Sequence, residues 1–388
     1  MKLGIITTFP PSELAYNEYA YHLSKNFASN NEVKELILFT DKTVKNKKLN
    51  FPFSEKVKIV ECWKFNSLTN FMSIIKSINV VKPNQILFNL HQDFFSDRKI
   101  PELFSLLLPT YFRIVGYNTT VIFRNTFKSN GFKNSDTTSS MLTEFVCGFF
   151  KSIYMRLILN ANTTVVNSFK FRNKLKNRYP KKNIVVIPHG SFEIPIKPNY
   201  KINKEVKKIL TFGKFGTHKK VEILIEAVKR VRQRTGESIE IVVAGKNMPN
   251  TPNYLQKVRE KYKNLKLLTF TGYIEEENIS KLFKNSSVVV LPYSYNKGDF
   301  GVLHQAGAYS KPIILPNIHG LKELIEEKLF NGVYFELDDI ESLAVAIQKF
   351  IVNDLYRIEL GKINYQAAKR NPMSKICNQY ITVFKKAI

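Results

Sequence analysis

Residues 297–326 read KGDFGVLHQAGAYSKPIILPNIHGLKELIE, directly after the apolar run VVVLPY at Val288 to Tyr293. The run reads as a buried strand, and the spacing from Gly301 onward predicts a helix. A helix that opens on glycine is an anion site: free backbone N–H groups point outward, the macrodipole favours negative charge, and the missing Cβ lets a phosphate come close. A second strand, PIILPN at Pro312 to Asn317, and a second glycine-led helix repeat the unit. This is the rhythm of a parallel-sheet nucleotide site.

The same alternation runs through both halves of the chain. In the first half the β-rich blocks are LGIITTF, VKELILF, VKIVECW, QILFNL, TTVIFRN, TTVVN and NIVVIPHG, separated by helix-like blocks such as LAYNEYAYHLSKNFA. Short, continuous apolar runs between amphipathic segments mark parallel strands covered by helices on both faces, which predicts a Rossmann-like domain. The pattern lapses at Ser191 to Lys201, where Pro195 and Pro198 suggest a linker. It restarts with KKILTFG, the helical VEILIEAVKRVRQRT, IEIVVAG, a helix near Tyr254 to Tyr262, LKLLTFTGYI and EEENISKLFKN. Asp338-Asp339 before IESLAVAIQKFIV predicts an N-capped helix. The expectation is an α/β chain of two Rossmann-like domains, 1–190 and 191–370, with a terminal helix in 371–388 returning to the first domain. Two parallel sheets facing each other would set their binding loops on either side of an interdomain cleft.

A chain of 388 residues with 44% hydrophobic content can fill two cores. The opening MKLGIITTFPP reads as a strand ending in Pro-Pro rather than as a secretory leader. The greasiest stretches, IPELFSLLLPTYF and LTEFVCGFFKSIYMRLIL, are interrupted by charged residues and Pro109, so neither is expected to span a membrane. Cys62, Cys147 and Cys377 are too few and too scattered for a disulfide framework or a zinc cluster, which points to the cytoplasm. The net charge is +27, and from Phe145 to Phe192 there is no Asp or Glu. Such a face attracts anionic lipid, nucleic acid or an acidic polymer, although a solvated surface in a lysine-rich protein would look the same.

Five pieces, in order, carry a resemblance: IPHG from Ile187, LTFGKFGTHKKVEILIEA from Leu210, IVVAGK from Ile241, FTGYI from Phe270 and FGVLHQAGAYSKPIILPN from Phe300. Together they resemble the nucleotide-sugar domain of group 1 glycosyltransferases, the retaining family 4 with the GT-B fold. The resemblance implies transfer of a sugar from a nucleotide-diphosphate donor, UDP- or GDP-linked, to a hydroxyl of a glycan or lipid-linked acceptor, in cell-surface polysaccharide or glycolipid synthesis. It implies that Lys214 and Lys219, beside Gly213, hold the donor diphosphate and that Gly301, Val302 and Leu303 offer it backbone N–H groups. Two ammonium groups also suit the growing charge of the leaving group. Tyr273 and Ile274 stand where the family packs the base. The family's paired glutamates are replaced, with Gln305 at the ribose position and Asp299 nearest to the other. Gln305 still accepts a ribose hydrogen bond through its amide oxygen, less strongly than a carboxylate.

For the first half the resemblance implies the acceptor side. Ser12 and Glu13 occupy the first loop in place of the family's Gly-Gly, Arg124 and Asn125 follow the strand where relatives carry a histidine, and His91 after QILFNL is the nearest substitute. No spaced Asp, His or Cys set suggests a metal, and no cofactor is expected; lysines and helix dipoles would replace the divalent cation. The basic and Phe/Leu-rich segments Leu103 to Phe112 and Leu142 to Leu159 suggest peripheral docking on the inner face of an anionic membrane, or simply domain core. Two other readings stay open: a sugar-nucleotide-binding relative without activity, given the altered glutamates, and a nucleic-acid-binding protein, given the basic-aromatic run FKFRNKLKNRY, although no nucleic-acid-binding signature accompanies it.

Overall fold

The computed structural model describes all residues except 13, 15–16, 43–53, 91–93, 125–151, 196, 199, 201–205, 218, 249–250, 295–300, 319–320 and 387–388. The chain divides into two units, Met1–His189 with Met373–Ile388, and Gly190–Pro372.

Along the first unit the elements are β1 (Lys2–Ile6), α1 (Asn17–Ala28), β2 (Glu35–Asp41), β3 (Val57–Trp63), α2 (Asn70–Val81), β4 (Gln85–Leu90), α3 (Lys99–Ser105), α4 (Leu108–Ile114), β5 (Asn118–Phe123), β6 (Thr163–Val166), α5 (Phe169–Arg178) and β7 (Ile184–Val186). The strands form one sheet in the order β3-β2-β1-β4-β5-β6-β7, and every pairing is parallel. Each of the seven β-rich blocks read from the sequence supplies one strand. Their runs are unbroken because central strands are covered on both faces: all six residues of β4 are buried. Buried polar groups inside the sheet pair locally, as where Gln85 Nε2 donates to Thr120 Oγ1 at 3.1 Å.

The second unit runs β8 (Lys207–Phe215), α6 (Val221–Thr235), β9 (Ile239–Asn247), α7 (Tyr254–Lys261), β10 (Leu268–Gly272), α8 (Glu276–Asn285), β11 (Val288–Val290), α9 (Gly301–Ala308), β12 (Ile313–Pro316), α10 (Leu321–Glu327), β13 (Val333–Phe335), α11 (Ile340–Val352) and α12 (Asp354–Arg370). Its parallel sheet has the order β10-β9-β8-β11-β12-β13. Asp339 caps α11, accepting from the backbone N–H of Glu341 at 2.8 Å and of Ser342 at 3.0 Å. Helix α9 lies close against α12 because both carry glycine at the contact. A Cβ on Gly307 would sit 2.8 Å from the Asn364 carbonyl oxygen, and one on Gly361 would sit 2.2 Å from that of Ser310.

The last helix, α13 (Met373–Lys386), belongs to the first unit and packs on α1. Phe27 lies 6.2 Å from Tyr380 and 6.1 Å from Phe384 between ring centroids, and all three are buried. Most of the apolar stretch after Leu103 turns inward: Phe104 is exposed, but Leu106, Leu108 and Phe112 are buried, as are Met155, Ile158 and Leu159 further on. The core alternative for those residues is the one the structure shows, and the part of the second stretch before Ser152 lies outside the described residues. Among the described residues no helix is long and apolar enough to cross a membrane.

Candidate functional site

In the second sheet the direction of strand addition reverses between β8 and β11. Loops leaving two such strands diverge at their carboxyl ends and open a crevice, the usual ligand position in a doubly wound sheet. Gly213, Lys214 and the strap to Lys219 leave β8, while Tyr293 follows β11 and Gly301 opens α9 at the end of the same connection. The strap folds back on the neighbouring loop. Lys219 forms a backbone bridge with Tyr293, and Lys220 N–H donates to the Pro292 carbonyl at 3.0 Å.

The Lys219 side chain turns inward beneath Gly213. Its Nζ donates to the Phe212 carbonyl oxygen at 2.9 Å and lies 4.9 Å and 5.1 Å from the ring centroids of Phe215 and Tyr293, with the residue 5% exposed. Gly213 makes this placement feasible: its φ is +119°, and a Cβ there would stand 2.7 Å from Nζ. The ammonium is therefore held at the strand end by a hydrogen bond and against two aromatic rings. Burial pushes the Tyr293 hydroxyl upward from its ordinary pKa, so the ring faces the ammonium as a neutral phenol.

On β9 the pair Gly245-Lys246 repeats Gly213-Lys214 in register. Gly245 has φ +134°, and a Cβ on it would overlap the Gly213 carbonyl oxygen at 1.8 Å. Lys214 and Lys246 are thus neighbours across the paired strands, two cations at one strand end. Lys246 Nζ also lies 5.2 Å from the Tyr273 ring centroid, and Tyr273 is 51% exposed at the end of β10. Neither Gly245 nor Lys246 was singled out from the sequence. The signal was the Gly-Lys dipeptide closing two successive buried runs, which acquires meaning only once the strands are paired.

Helix α9 presents Gly301 at its start, where an added Cβ would meet nothing within 4 Å, and buries Leu303 and Gln305. Val302 is half-buried, and Asp299 lies outside the described residues. The neighbouring His304 places Nδ1 3.2 Å from Ser191 Oγ and its ring against Phe330. Ile274 lines a cavity of about 270 Å³ on the sheet face beside α8, together with Leu210, Val242 and the ion-paired Lys208 and Glu240. Lys208 and Glu240 come from near the strand starts, whereas Ile274 follows the carboxyl end of β10.

The first sheet reverses between β1 and β4. The loop after β1 is pinned from below: Asn89 Nδ2 donates to Thr7 Oγ1 at 2.9 Å, and Ser12 Oγ donates to Asp41 Oδ2 at 2.6 Å. Burial raises the Asp41 carboxyl above its ordinary pKa, and the Ser12 hydrogen bond opposes that shift. Asp41 was not singled out from the sequence, although an acid closing the buried run LILFTD is itself a signal. Arg124, after β5, is 2% exposed and holds its guanidinium 4.1 Å above the Tyr19 ring, which neighbours His189 at 4.9 Å. Glu13, His91 and Asn125 lie outside the described residues. Among the described residues no group of three His, Cys, Asp or Glu is placed to hold a metal ion.

Residues 192–370, nearly the whole second unit, match the family described as glycosyl transferases group 1. This part of the chain belongs to the group 1 glycosyltransferases. The chain is also similar to an uncharacterized glycosyltransferase of Methanocaldococcus jannaschii, 25% identical over 185 residues that cover 44% of this chain and 46% of that protein. The chain thus spans about half the length of the curated relative it matches. Solved structures align end to end. Sucrose-phosphate synthase of Thermosynechococcus elongatus has a TM-score of 0.73 at 14% identity, covering 99% of this chain and 98% of its own. HepE of Anabaena, in complex with UDP, scores 0.72 at 13% identity with 100% of both chains covered. WaaG, a glycosyltransferase involved in lipopolysaccharide biosynthesis, scores 0.66 at 11% identity, covering 98% and 99%. At these identities the likeness establishes the fold: two parallel-sheet α/β units of the GT-B type.

Proposed function

We propose that this chain is a retaining, metal-independent glycosyltransferase that moves a sugar from a UDP- or GDP-sugar to a hydroxyl of a glycan or lipid-linked acceptor. The observation that carries the reading is the carboxyl end of the second sheet, where Gly213-Lys214 and Gly245-Lys246 stand in register beside the buried ammonium of Lys219. In this reading Lys214, Lys219 and Lys246 hold the donor pyrophosphate, joined by backbone N–H groups of Gly301, Val302 and Leu303. Cations fixed before the reaction stabilise the diphosphate's charge as it leaves without reorganising. Tyr273 offers a face to the base, Gln305 an amide oxygen to the ribose, and Asp299 a carboxylate to the donor sugar. The bond from the anomeric carbon to the phosphate oxygen breaks as the acceptor oxygen bonds to that carbon on the same face. The acceptor proton passes to the departing phosphate, so positioning and charge supply the catalysis.

The acceptor side falls to the first unit, with Ser12, Glu13, His91, Arg124 and Asn125 as its candidate residues and Asp41 holding Ser12. Support for the donor class comes from the family of residues 192–370 and from the UDP bound by HepE, a protein of the same fold. A thermal-shift screen against UDP-, GDP- and ADP-sugars tests the reading, since a ligand at about 100 times its Kd adds roughly 2.7 kcal/mol. No shift with any of them removes it. Gln305 in place of a carboxylate favours one second reading, a sugar-nucleotide binder without transfer; slow hydrolysis of the bound donor would speak against that.

A further inference from the structure

In the first unit, the large apolar side chains that reach solvent, among the described residues, are confined to one layer. Leu68, Met72 and Val80 lie on or beside α2, Ile100 and Phe104 on α3, and Ile114 and Val115 at the end of α4. Phe169, 63% exposed, opens α5. None lies on α1 or α13. Scattered exposed apolar residues are ordinary, but their confinement to one layer is not.

These helices share one side of the sheet. The steps β3 to β4, β4 to β5 and β6 to β7 all run the same way across it, and right-handed crossovers place their helices on one face, opposite α1. Contacts tie the layer together: Phe71 of α2 meets Tyr111 of α4 at 5.7 Å between ring centroids, and Asn160 accepts from both Arg113 and Lys182. The spacing is regular. Met72, Lys76 and Val80 fall four residues apart on α2, a stripe with a cation inside it and Leu68 just ahead of the helix, and Ile100 and Phe104 repeat the interval on α3.

The layer's surface charge is almost all of one sign, with Asp97 the one exposed acid among the described residues from 94 to 189. Residues 64–90 contain no Asp or Glu, and the described residues from 94 to 189 contain only Asp97 and Glu102. Glu102 is buried, its carboxylate accepting the backbone N–H groups of Phe94, Phe95 and Ser96. Helix α5 has no acid and exposes Lys170, Lys174 and Arg178, with Lys181 just beyond it.

We infer that this layer, α2 to α5 of the first unit, docks on the surface of an anionic bilayer. Short apolar stripes enter the headgroup boundary while lysines and arginines meet lipid phosphates, and a surface offering both at once fits that partner. A second copy would bring like charges together, and a nucleic acid would leave the aliphatic stripes unused. Of the segments that looked greasiest in the sequence only Ile100 and Phe104 join the stripes; the other described apolar residues of those segments are largely core. The inference deepens the acceptor half of the proposed function, because a lipid-linked acceptor is met at such a surface.

Flotation of the full chain with phosphatidylcholine vesicles, with and without phosphatidylglycerol, at physiological salt tests it. The chain is expected to float only with the anionic vesicles. Lys174→Gln and Lys181→Gln should each lower partitioning about fivefold, following the contribution of a single surface cation. The triple variant Met72→Ser, Phe104→Ser, Ile114→Ser should release the chain while keeping its melting temperature, since all three side chains are already in solvent. Absence of flotation, equal binding to neutral vesicles or unaltered binding by every variant overturns the inference. So does salt-sensitive RNA binding in place of lipid binding, or a dimer that the triple variant dissolves. Binding of UDP-, GDP- and ADP-sugars measured on the same samples keeps the two readings apart: flotation without binding of any of them removes the donor reading alone, and the reverse removes the surface alone.

Discussion

Replacing Lys219 with methionine separates a structural lysine from a ligand-binding one. In the free protein the ammonium makes a charge-assisted hydrogen bond to the Phe212 carbonyl and lies over two rings. The bond is worth about 1.5–3 kcal/mol and each aromatic contact about 0.5–2 kcal/mol, against several kcal/mol for removing the charge from water. These nearly cancel, and methionine keeps the packing between Phe215 and Tyr293, so unfolding free energy should change by about 1 kcal/mol or less. Binding should respond far more. A phosphate charge about 4 Å from Nζ gains about 4 kcal/mol at an effective dielectric of about 20. After competition from water, a loss of about 2–4 kcal/mol is expected, or roughly 30- to 1000-fold in Kd. Calorimetric titration with UDP and GDP, beside urea denaturation, reads both quantities. A methionine variant that folds normally and binds the winning nucleotide within threefold of the parent would refute the pyrophosphate assignment.

Gly245→Ala should be severe, because the new Cβ meets the Gly213 carbonyl and the backbone sits at φ +134°; a loss of about 3 kcal/mol with concurrent loss of nucleotide binding is expected by denaturation and titration. Lys246→Ala should leave stability nearly unaltered and weaken UDP binding about tenfold, the effect of one exposed charge-assisted contact. Buried Lys311 gives a pH signature. Burial, aided by Arg357, lowers its pKa from 10.5 to about 8. Between those values the unfolded chain binds a proton that the folded one does not, so this group makes stability rise from about pH 8 to about pH 10.5, with its full cost present below pH 8. Lys311→Met should abolish that rise and stabilise the protein at pH 7 by about 2 kcal/mol, the relieved charge burial less the hydrogen bond to the Lys284 carbonyl; denaturation curves with unaltered pH dependence would contradict it.

Most strands of the two units were legible in the sequence because they are short apolar runs, a local pattern that needs no partner to be recognised, whereas the three-residue edge strand β13, only partly buried, was not read. The helix opening at Gly301 and the cap at Asp339 were legible for the same reason: both are written within a turn of the residues that make them. Whether a given apolar residue faces core or solvent was harder. Leu106 and Phe112 are buried while Phe104 is exposed, although all three lie in one greasy stretch, because neighbouring helices cover only part of each helix.

The amino-acid sequence by itself therefore determined the α/β class, the two-unit organisation, the positive charge and the family pattern around Lys214 and Gly301. Only the tertiary structure decided that Gly245-Lys246 joins Gly213-Lys214, that Lys219 turns beneath Gly213 to meet Phe215 and Tyr293, and that Asp41 stands behind Ser12. The reason is physical. Periodicity follows from the dihedral preferences of adjacent residues, whereas strand order and register follow from contacts between residues tens of positions apart, whose free energies no local window contains.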